Sequence, residues 1–294
     1  MKQRLLTGTG YVLVLFGFFL LKVLLPYDVF SSTLTWGTVA FDALVLFACV
    51  VGTFEMTRAL SDKLTRAQRW LAMIFAALFI PALDLFGLYL GFGEIAVAGV
   101  AFFAFAFVVL SLFVVRYEET GVESVGCTLL SGVYPVLMTG AISLCNHLEQ
   151  GALALLFVFV VSPCADSIAY VFGVTMGKKF PKKMSPSISP KKTVVGGIGG
   201  IVGGVLGAVA IFFAYNAIFT HAFPWEKLLW YILVGAGASL ATEFGDLIES
   251  AIKRKVGIKD MGNLMPGHGG VLDRIDGTMY CAVLVYLVFL FVAL

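Results

Sequence analysis

Charged residues are scarce in this sequence: Asp, Glu, Lys and Arg supply 13% of its 294 residues, while 60% are hydrophobic. A soluble globular domain carries roughly 25% charged residues, so an ordinary soluble fold is excluded. An excess of positive charge is missing too. The 20 Lys and Arg nearly balance the 18 Asp and Glu, leaving +2, which removes the basic footprint of a nucleic-acid partner. Cysteine is sparse and unpatterned. Cys49, Cys127, Cys145, Cys164 and Cys281 are odd in number, scattered through apolar runs and without a CxxC, so they read as small buried hydrophobes and not as a disulfide or zinc framework. The histidines, His147, His221 and His268, are too dispersed to suggest a metal triad. Segments of alternating polarity, which a transmembrane barrel would need, are absent.

What the sequence does have is continuous apolar runs bounded by charges, Pro or Gly. They predict nine spans, roughly 5–25, 34–54, 70–90, 95–115, 125–145, 152–176, 194–219, 228–248 and 271–294. A helix needs about 20 apolar residues to cross a bilayer, so nine would use about 180. The expected fold is an all-α polytopic integral membrane helical bundle. Met1-Lys2-Gln3-Arg4 followed by an apolar run resembles a signal peptide, but the run is long and lacks a clear cleavage site, so a retained first helix is expected. Basic residues fall on alternate connections: Lys2 and Arg4; Arg58, Lys63, Arg66 and Arg69; Arg116; Lys178, Lys179, Lys182, Lys183, Lys191 and Lys192; Lys253, Arg254, Lys255 and Lys259. Because Lys and Arg are retained on the cytoplasmic side, the N-terminus and these loops are expected to be cytoplasmic and the C-terminus outside, in the cytoplasmic (inner) membrane if the source is bacterial.

Short linkers predict a single integral membrane domain over 1–294. Residues 1–150 read as mainly scaffold helices, with Asp42 and Asp84 as packing or hydration sites, and residues 151–294 as the motif-bearing half. Seven glycines crowd 196–207. Small-xxx-small spacing lets helices approach closely, so packing is their expected role, with a phosphate cradle as the alternative for the first two.

Three constellations carry the chemistry. Asp246, Ser250 and Lys253 fall at i, i+4 and i+7, one face of the eighth helix. Lys259-Asp260 then leads into Pro266-Gly267-His268-Gly269-Gly270, and Asp273-Arg274-Ile275-Asp276 opens the ninth. Charges at the mouth of an apolar helix are costly unless paired, hydrated or coordinating. Hard cations such as Mg²⁺ take carboxylate and phosphate oxygens, which makes Asp246 and Asp273 candidate ligands. His268 could contact phosphate or stabilise its loop. The third constellation comprises Asp166, an intramembrane acid, and Ser189-Pro190-Lys191-Lys192-Thr193, whose donors suit a triphosphate or serve only as a topology signal.

The run SAIKRKVGIKDMGNLMPGHGGVLDRID from Ser250 to Asp276, with SPKKT at 189–193 and DSIAYVFG at 166–173, resembles the signature of the phosphatidate cytidylyltransferases, also called CDP-diacylglycerol synthases. Val195 departs from it, standing where many members carry an acidic or amide residue. The resemblance implies condensation of CTP with phosphatidate to CDP-diacylglycerol and pyrophosphate. It implies a metal centre held by Asp246 and Asp273, with Mg²⁺ and K⁺ as a second cation. Lys253, Arg254, Asp260, His268, Arg274 and Asp276 become the expected catalytic set. Asp166, Ser189, Lys191, Lys192, Thr193, Ser250 and Lys259 become the expected substrate-binding set, and the family and the small-residue faces suggest a homodimer. Two other activities fit the bare residues: a CTP-dependent lipid-alcohol kinase, and an ion-coupled transporter using the intramembrane acids.

Overall fold

The local signals that start and stop helices are written plainly along the chain. Thr35 accepts a hydrogen bond from Thr38 N at 3.1 Å, and Thr65 forms a capping box with Gln68. Thr193 accepts from Gly196 N, and Gly257, with φ of 81°, closes the longest helix. Each satisfies backbone groups that a helix end leaves without partners.

A computed structural model of the chain describes residues 2–31 and 34–291, the side chains of 2–7, 30 and 31 excepted. Nine helices follow in order among the described residues: α1 (Lys2–Leu24), α2 (Trp36–Ala59), α3 (Arg66–Tyr89), α4 (Glu94–Val115), α5 (Val122–His147), α6 (Gly151–Met176), α7 (Val194–Thr220), α8 (Trp225–Val256) and α9 (Leu272–Phe291). Eight are long and apolar enough to cross a membrane, and α1 contributes a shorter apolar stretch, Gly8–Leu24. The protein is therefore a multi-pass helical membrane protein. The basic side chains expected at Lys2 and Arg4, and residues 292–294 of the last span, lie outside the described residues. Two antiparallel hairpins interrupt the helices: β1 (Asp28–Ser31) with β2 (Leu34–Thr35), and β3 (Lys183–Ser185) with β4 (Ser189–Thr193).

α3 and α5 each widen into a π-helical stretch, at Leu83–Tyr89 just after Pro81 and at Val133–Leu137 around Pro135. Proline lacks the amide hydrogen a regular turn needs, and a wider turn absorbs the mismatch. On α4 the aromatic residues Phe103 and Phe107 are exposed, an arrangement suited to lipid and not to water.

Two compact units partition the helices: Met1–His147 with Asp260–Arg274, and Leu148–Lys259 with Ile275–Leu294. The core of the first is built on α2, where Phe41, Val45, Cys49 and Met56 are buried. In the second, α7 packs against α6 and α8. A side chain at Gly203 would strike Cys164 O and Ile168, and one at Gly204 would strike Ser239 and Gly235 O. Close helix packing is thus what these glycines allow. All five cysteines are free thiols, with Cys49, Cys145 and Cys281 fully buried.

Candidate functional site

In the Leu148–Lys259 and Ile275–Leu294 unit, the polar residues converge on one stretch of α8. Asp246 is the hub. Its Oδ2 accepts from Lys192 Nζ at 2.5 Å and its Oδ1 from Ser250 Oγ at 3.2 Å. Lys192 reaches it from the β3–β4 hairpin, whose register pairs Lys183 with Thr193 and Ser185 with Ser189. The segment read as loop from the sequence is thus a short hairpin that runs directly into α7. Thr193 is buried and engaged as the cap of α7, while Lys191 is exposed and Ser189 half-buried on the same strand. The Asp246–Lys192 pair ties two motifs more than fifty residues apart into one polar centre.

Other acids surround that hub. Glu243, one turn earlier on α8, is buried, and its Oε1 has no hydrogen-bond partner among the described residues. Its charge is felt alongside those of Lys192, Asp166 and Asp246. Room for it comes from α7, because a Cβ at Gly197 or Gly200 would collide with its carboxylate. Lys253, expected on the face of Asp246, is buried and ion-paired with Glu249 one turn before it. Asp276 accepts from Gly277 N at 2.8 Å, lies within hydrogen-bonding reach of Glu249, and shares the field of Asp246 and Lys253. Arg254 is exposed and donates to the carbonyls of Ile188, at the hairpin turn, and Ile258. Lys259 and Asp166 are exposed. The arrangement is a set of carboxylates interleaved with cationic side chains, a donor and acceptor set suited to an anionic, metal-bearing ligand.

In the Met1–His147 and Asp260–Arg274 unit, the remaining signature residues form a tight backbone cradle. Buried Asp273 accepts from Met261 N and Gly270 N, each at 2.8 Å through Oδ2. Gly269 has φ of 88°, and a Cβ there would also press on the Asp273 carboxylate, so glycine is required twice over. Asp260 and Arg274 are exposed, and His268 is half-buried, its backbone amide bonded to Met265 O.

Sequence reasoning missed one residue of this cradle. Glu55, on α2, accepts from Val271 N at 3.0 Å and Leu272 N at 2.9 Å, holding the first turn of α9 with a buried carboxylate. A negative charge there suits the positive end of a helix. The available signal was an acid inside an apolar helix, masked because the second span was expected to stop at residue 54.

Asp246 is one-third exposed in its side chain and offers carboxylate oxygens, the donor class that Mg²⁺ takes. Asp273 offers the same atoms, with one oxygen already held by backbone amides.

Comparison with known proteins adds the following. A family model described as the cytidylyltransferase family matches residues 9–292. The phosphatidate cytidylyltransferase of Bacillus subtilis is 30% identical, covering 97% of this chain and 96% of its own. The phosphatidate cytidylyltransferase of Mycobacterium bovis is 49% identical over 72 residues, 24% of each chain. That of Thermotoga maritima is 48% identical over 59 residues, 20% of this chain and 22% of its own. The segments aligned with these last two thus span about a quarter of those relatives.

Proposed function

This chain belongs to the cytidylyltransferase family, and from that premise we propose that it condenses CTP with phosphatidate to give CDP-diacylglycerol and pyrophosphate. The Asp246–Lys192 pair carries the reading, because it joins the triphosphate-suited SPKKT strand to the carboxylate of α8. A phosphatidate oxygen attacks the α-phosphorus of CTP. The new P–O bond forms as the α–β bridging bond breaks, and pyrophosphate leaves with the electron pair. The attacking oxygen is already ionised at neutral pH, so no general base is required.

The chemical task is electrostatic: two anions must meet, and a third must leave. Lys191 and Lys192 on the hairpin, Arg254 in the last turn of α8 and Lys259 just after it supply positive charge, and Ser189 and Thr193 complete the hairpin's donor set. Buried Lys253 and half-buried Asp276 form the inner part of that network. Asp246 and Asp273 are each proposed as metal ligands from the resemblance, and Mg²⁺ held by such carboxylates would neutralise phosphate oxygens; K⁺ as a second cation is proposed from the resemblance alone. Ser250 orients Asp246, while His268 and Arg274 are proposed to meet substrate phosphates, and Asp260 is kept in the proposed catalytic set from the resemblance alone. Asp166 is proposed to help orient the nucleotide.

CTP is water-soluble and phosphatidate is held in a leaflet, so the reaction belongs at a membrane surface. The alternation of basic loops supports placing that surface on the cytoplasmic side. A homodimer is proposed from the family resemblance alone, because the glycines of α7 are spent on packing against α6 and α8. The family match disfavours the lipid-alcohol kinase and the transporter.

The test is a labelling assay on detergent-purified protein with phosphatidate and Mg²⁺. CTP labelled in the cytidine ring transfers its label to lipid. Lipid labelled only from γ-labelled CTP overturns the proposal, as does the absence of any labelled lipid.

A further inference from the structure

A second polar cluster, at the other end of α2 from Glu55, has no part in the chemistry above. Asp42 and Glu55 are 13 residues apart on α2, about 20 Å along its axis at 1.5 Å per residue. Asp42 comes from the first turns of α2, Asp84 from the π-helical turn of α3, Glu94 from the start of α4 and His147 from the last residue of α5. These are four helix ends on one side of a single unit.

The imidazole is the centre of this cluster. Its side chain is 2% exposed, and its Nε2 faces Asp42 Oδ2 at 2.8 Å, Asp84 Oδ1 at 3.2 Å and Ser143 Oγ at 3.3 Å. A ring nitrogen carries at most one hydrogen, so it cannot donate well to two carboxylates and a hydroxyl together. Asp84 Oδ1 is indeed buried without a hydrogen bond among the described residues. The other ring nitrogen, Nδ1, is also buried without one, and the nearest carboxylate oxygen, Glu94 Oε1, is 3.8 Å away. Charge is unbalanced as well. Three carboxylates face one ammonium, Lys22, which is committed to Thr38 Oγ1 and Asn146 O, each at 2.9 Å. With a neutral imidazole the cluster carries a formal −2.

We propose that His147 Nε2, Asp42 Oδ2 and Asp84 Oδ1 form a binding site for a divalent transition-metal cation of the Zn²⁺ class, with Glu94 orienting the imidazole through Nδ1. The three ligand atoms all lie within 4.8 Å of one another. Ligands around a tetrahedral Zn²⁺ at bond lengths near 2.0–2.1 Å are about 3.3 Å apart, close to the two separations from Nε2. One nitrogen with two carboxylates selects a borderline cation over Mg²⁺, which prefers oxygen alone. A carboxylate on the far nitrogen is the usual support of a metal-bound histidine, and Glu94 Oε1, 3.8 Å from Nδ1, is a small side-chain movement from that role. The +2 charge cancels the cluster's excess. Ser143, donating to Asp42 Oδ1 at 2.7 Å, leaves Oδ2 directed at the metal position. Gly87 lets the π-turn pass Glu94, since a Cβ there would press on that residue's Cα and side chain.

The proposal is independent of cytidylyl transfer, and its test reads metal directly. Full-length protein in detergent is stripped with a chelator, titrated with Zn²⁺ and analysed for retained metal. The wild type and Asp246→Asn retain one more equivalent than His147→Gln or Asp84→Asn. Glu94→Gln, which leaves all three ligands in place, weakens Zn²⁺ binding by roughly 10- to 100-fold. Should the ligand variants fail to fold, Co²⁺ added to stripped wild type reports the site through its visible ligand-field bands, displaced by Zn²⁺. Equal zinc retention in wild type and ligand variants overturns the proposal. So do the absence of Co²⁺ bands and retention of Mg²⁺ with no Zn²⁺; a proton-sharing triad gives no uptake at all.

Discussion

Glu55 and Asp246 are both carboxylates on membrane-spanning helices of an apolar chain, yet they are held in opposite ways. Glu55 is buried and spends both oxygens on the backbone amides of Val271 and Leu272. Asp246 is partly exposed and spends its oxygens on a serine hydroxyl and on the ammonium of Lys192, which stands on a hairpin. Backbone amides cannot leave, whereas a lysine can turn to another anion. The first carboxylate therefore fixes a structure, and the second can exchange partners during a reaction. Substitutions that keep shape and remove charge distinguish the two roles.

The largest effect is expected at Asp246→Asn. Removing one preorganised electrostatic group from a phosphoryl-type site costs roughly a hundred- to a thousandfold in rate, and the metal-binding role proposed for Asp246 places this variant at the upper end. Label transfer from cytidine-labelled CTP falls about a thousandfold, while the unfolding midpoint in detergent stays near that of the wild type because the side chain is partly exposed. A variant that keeps near-normal turnover removes Asp246 from the site.

Glu55→Gln is expected to reverse that pattern. The amide replaces one acceptor with a donor that faces a backbone N–H, and a buried charge-assisted bond is lost. The stability cost is about 2–3 kcal/mol, read as a lower unfolding midpoint. Rate per folded molecule falls far less than in Asp246→Asn. If the rate falls a thousandfold with the midpoint unchanged, Glu55 belongs to the chemistry and the distinction fails.

These two residues also show what could be read before the fold was known. Helix starts were legible to within a few residues because apolar runs and capping threonines are local signals, and α6 and α7 fall where they were expected, whereas α2 and α8 run past their expected ends at 54 and 248 to Ala59 and Val256. The polar run from Ser250 to Asp276 was legible because so few charges occur elsewhere. Glu55 was not, since its partners at 271 and 272 are more than two hundred residues away and only tertiary packing brings them together. The same holds for Asp42, Asp84 and His147, each unremarkable alone. β3–β4 escaped notice because a five-residue strand with Pro190 and two lysines has no apolar alternation to report.

Gly200→Ala sharpens the comparison from the side of packing. Its new methyl group would meet the Glu243 carboxylate, which Gly197 and Gly200 accommodate on α7. Overpacking of this kind costs about 1–3 kcal/mol, with a fall in rate as the acid beside Asp246 is displaced. Glu243→Gln combined with Gly200→Ala tests the coupling: if the two effects simply add, the glycine acts through helix packing alone and not through Glu243.

The smallest effect belongs to a carboxylate held by a lysine where no substrate is at stake. Glu123 accepts from Lys63, and both side chains are largely exposed on a connection and the start of a helix. The hydrogen bond and charge of Glu123 raise the lysine's pKa. A raised lysine pKa contributes stability below the unfolded value, and that contribution is lost as pH rises through the folded one. Exposed pairs are screened by salt and cost side-chain entropy. Lys63→Met should therefore leave label transfer unchanged and move the unfolding midpoint only slightly, at low ionic strength and below the alkaline range. The Lys192–Asp246 pair is less exposed and differently surrounded: buried Glu243 and the charges of Asp166 and Asp276 stand around it. If Lys63→Met slows the reaction as much as Lys192→Met, proximity of lysine to carboxylate is not what marks the site, and the contrast between exchangeable and fixed carboxylates must be drawn elsewhere.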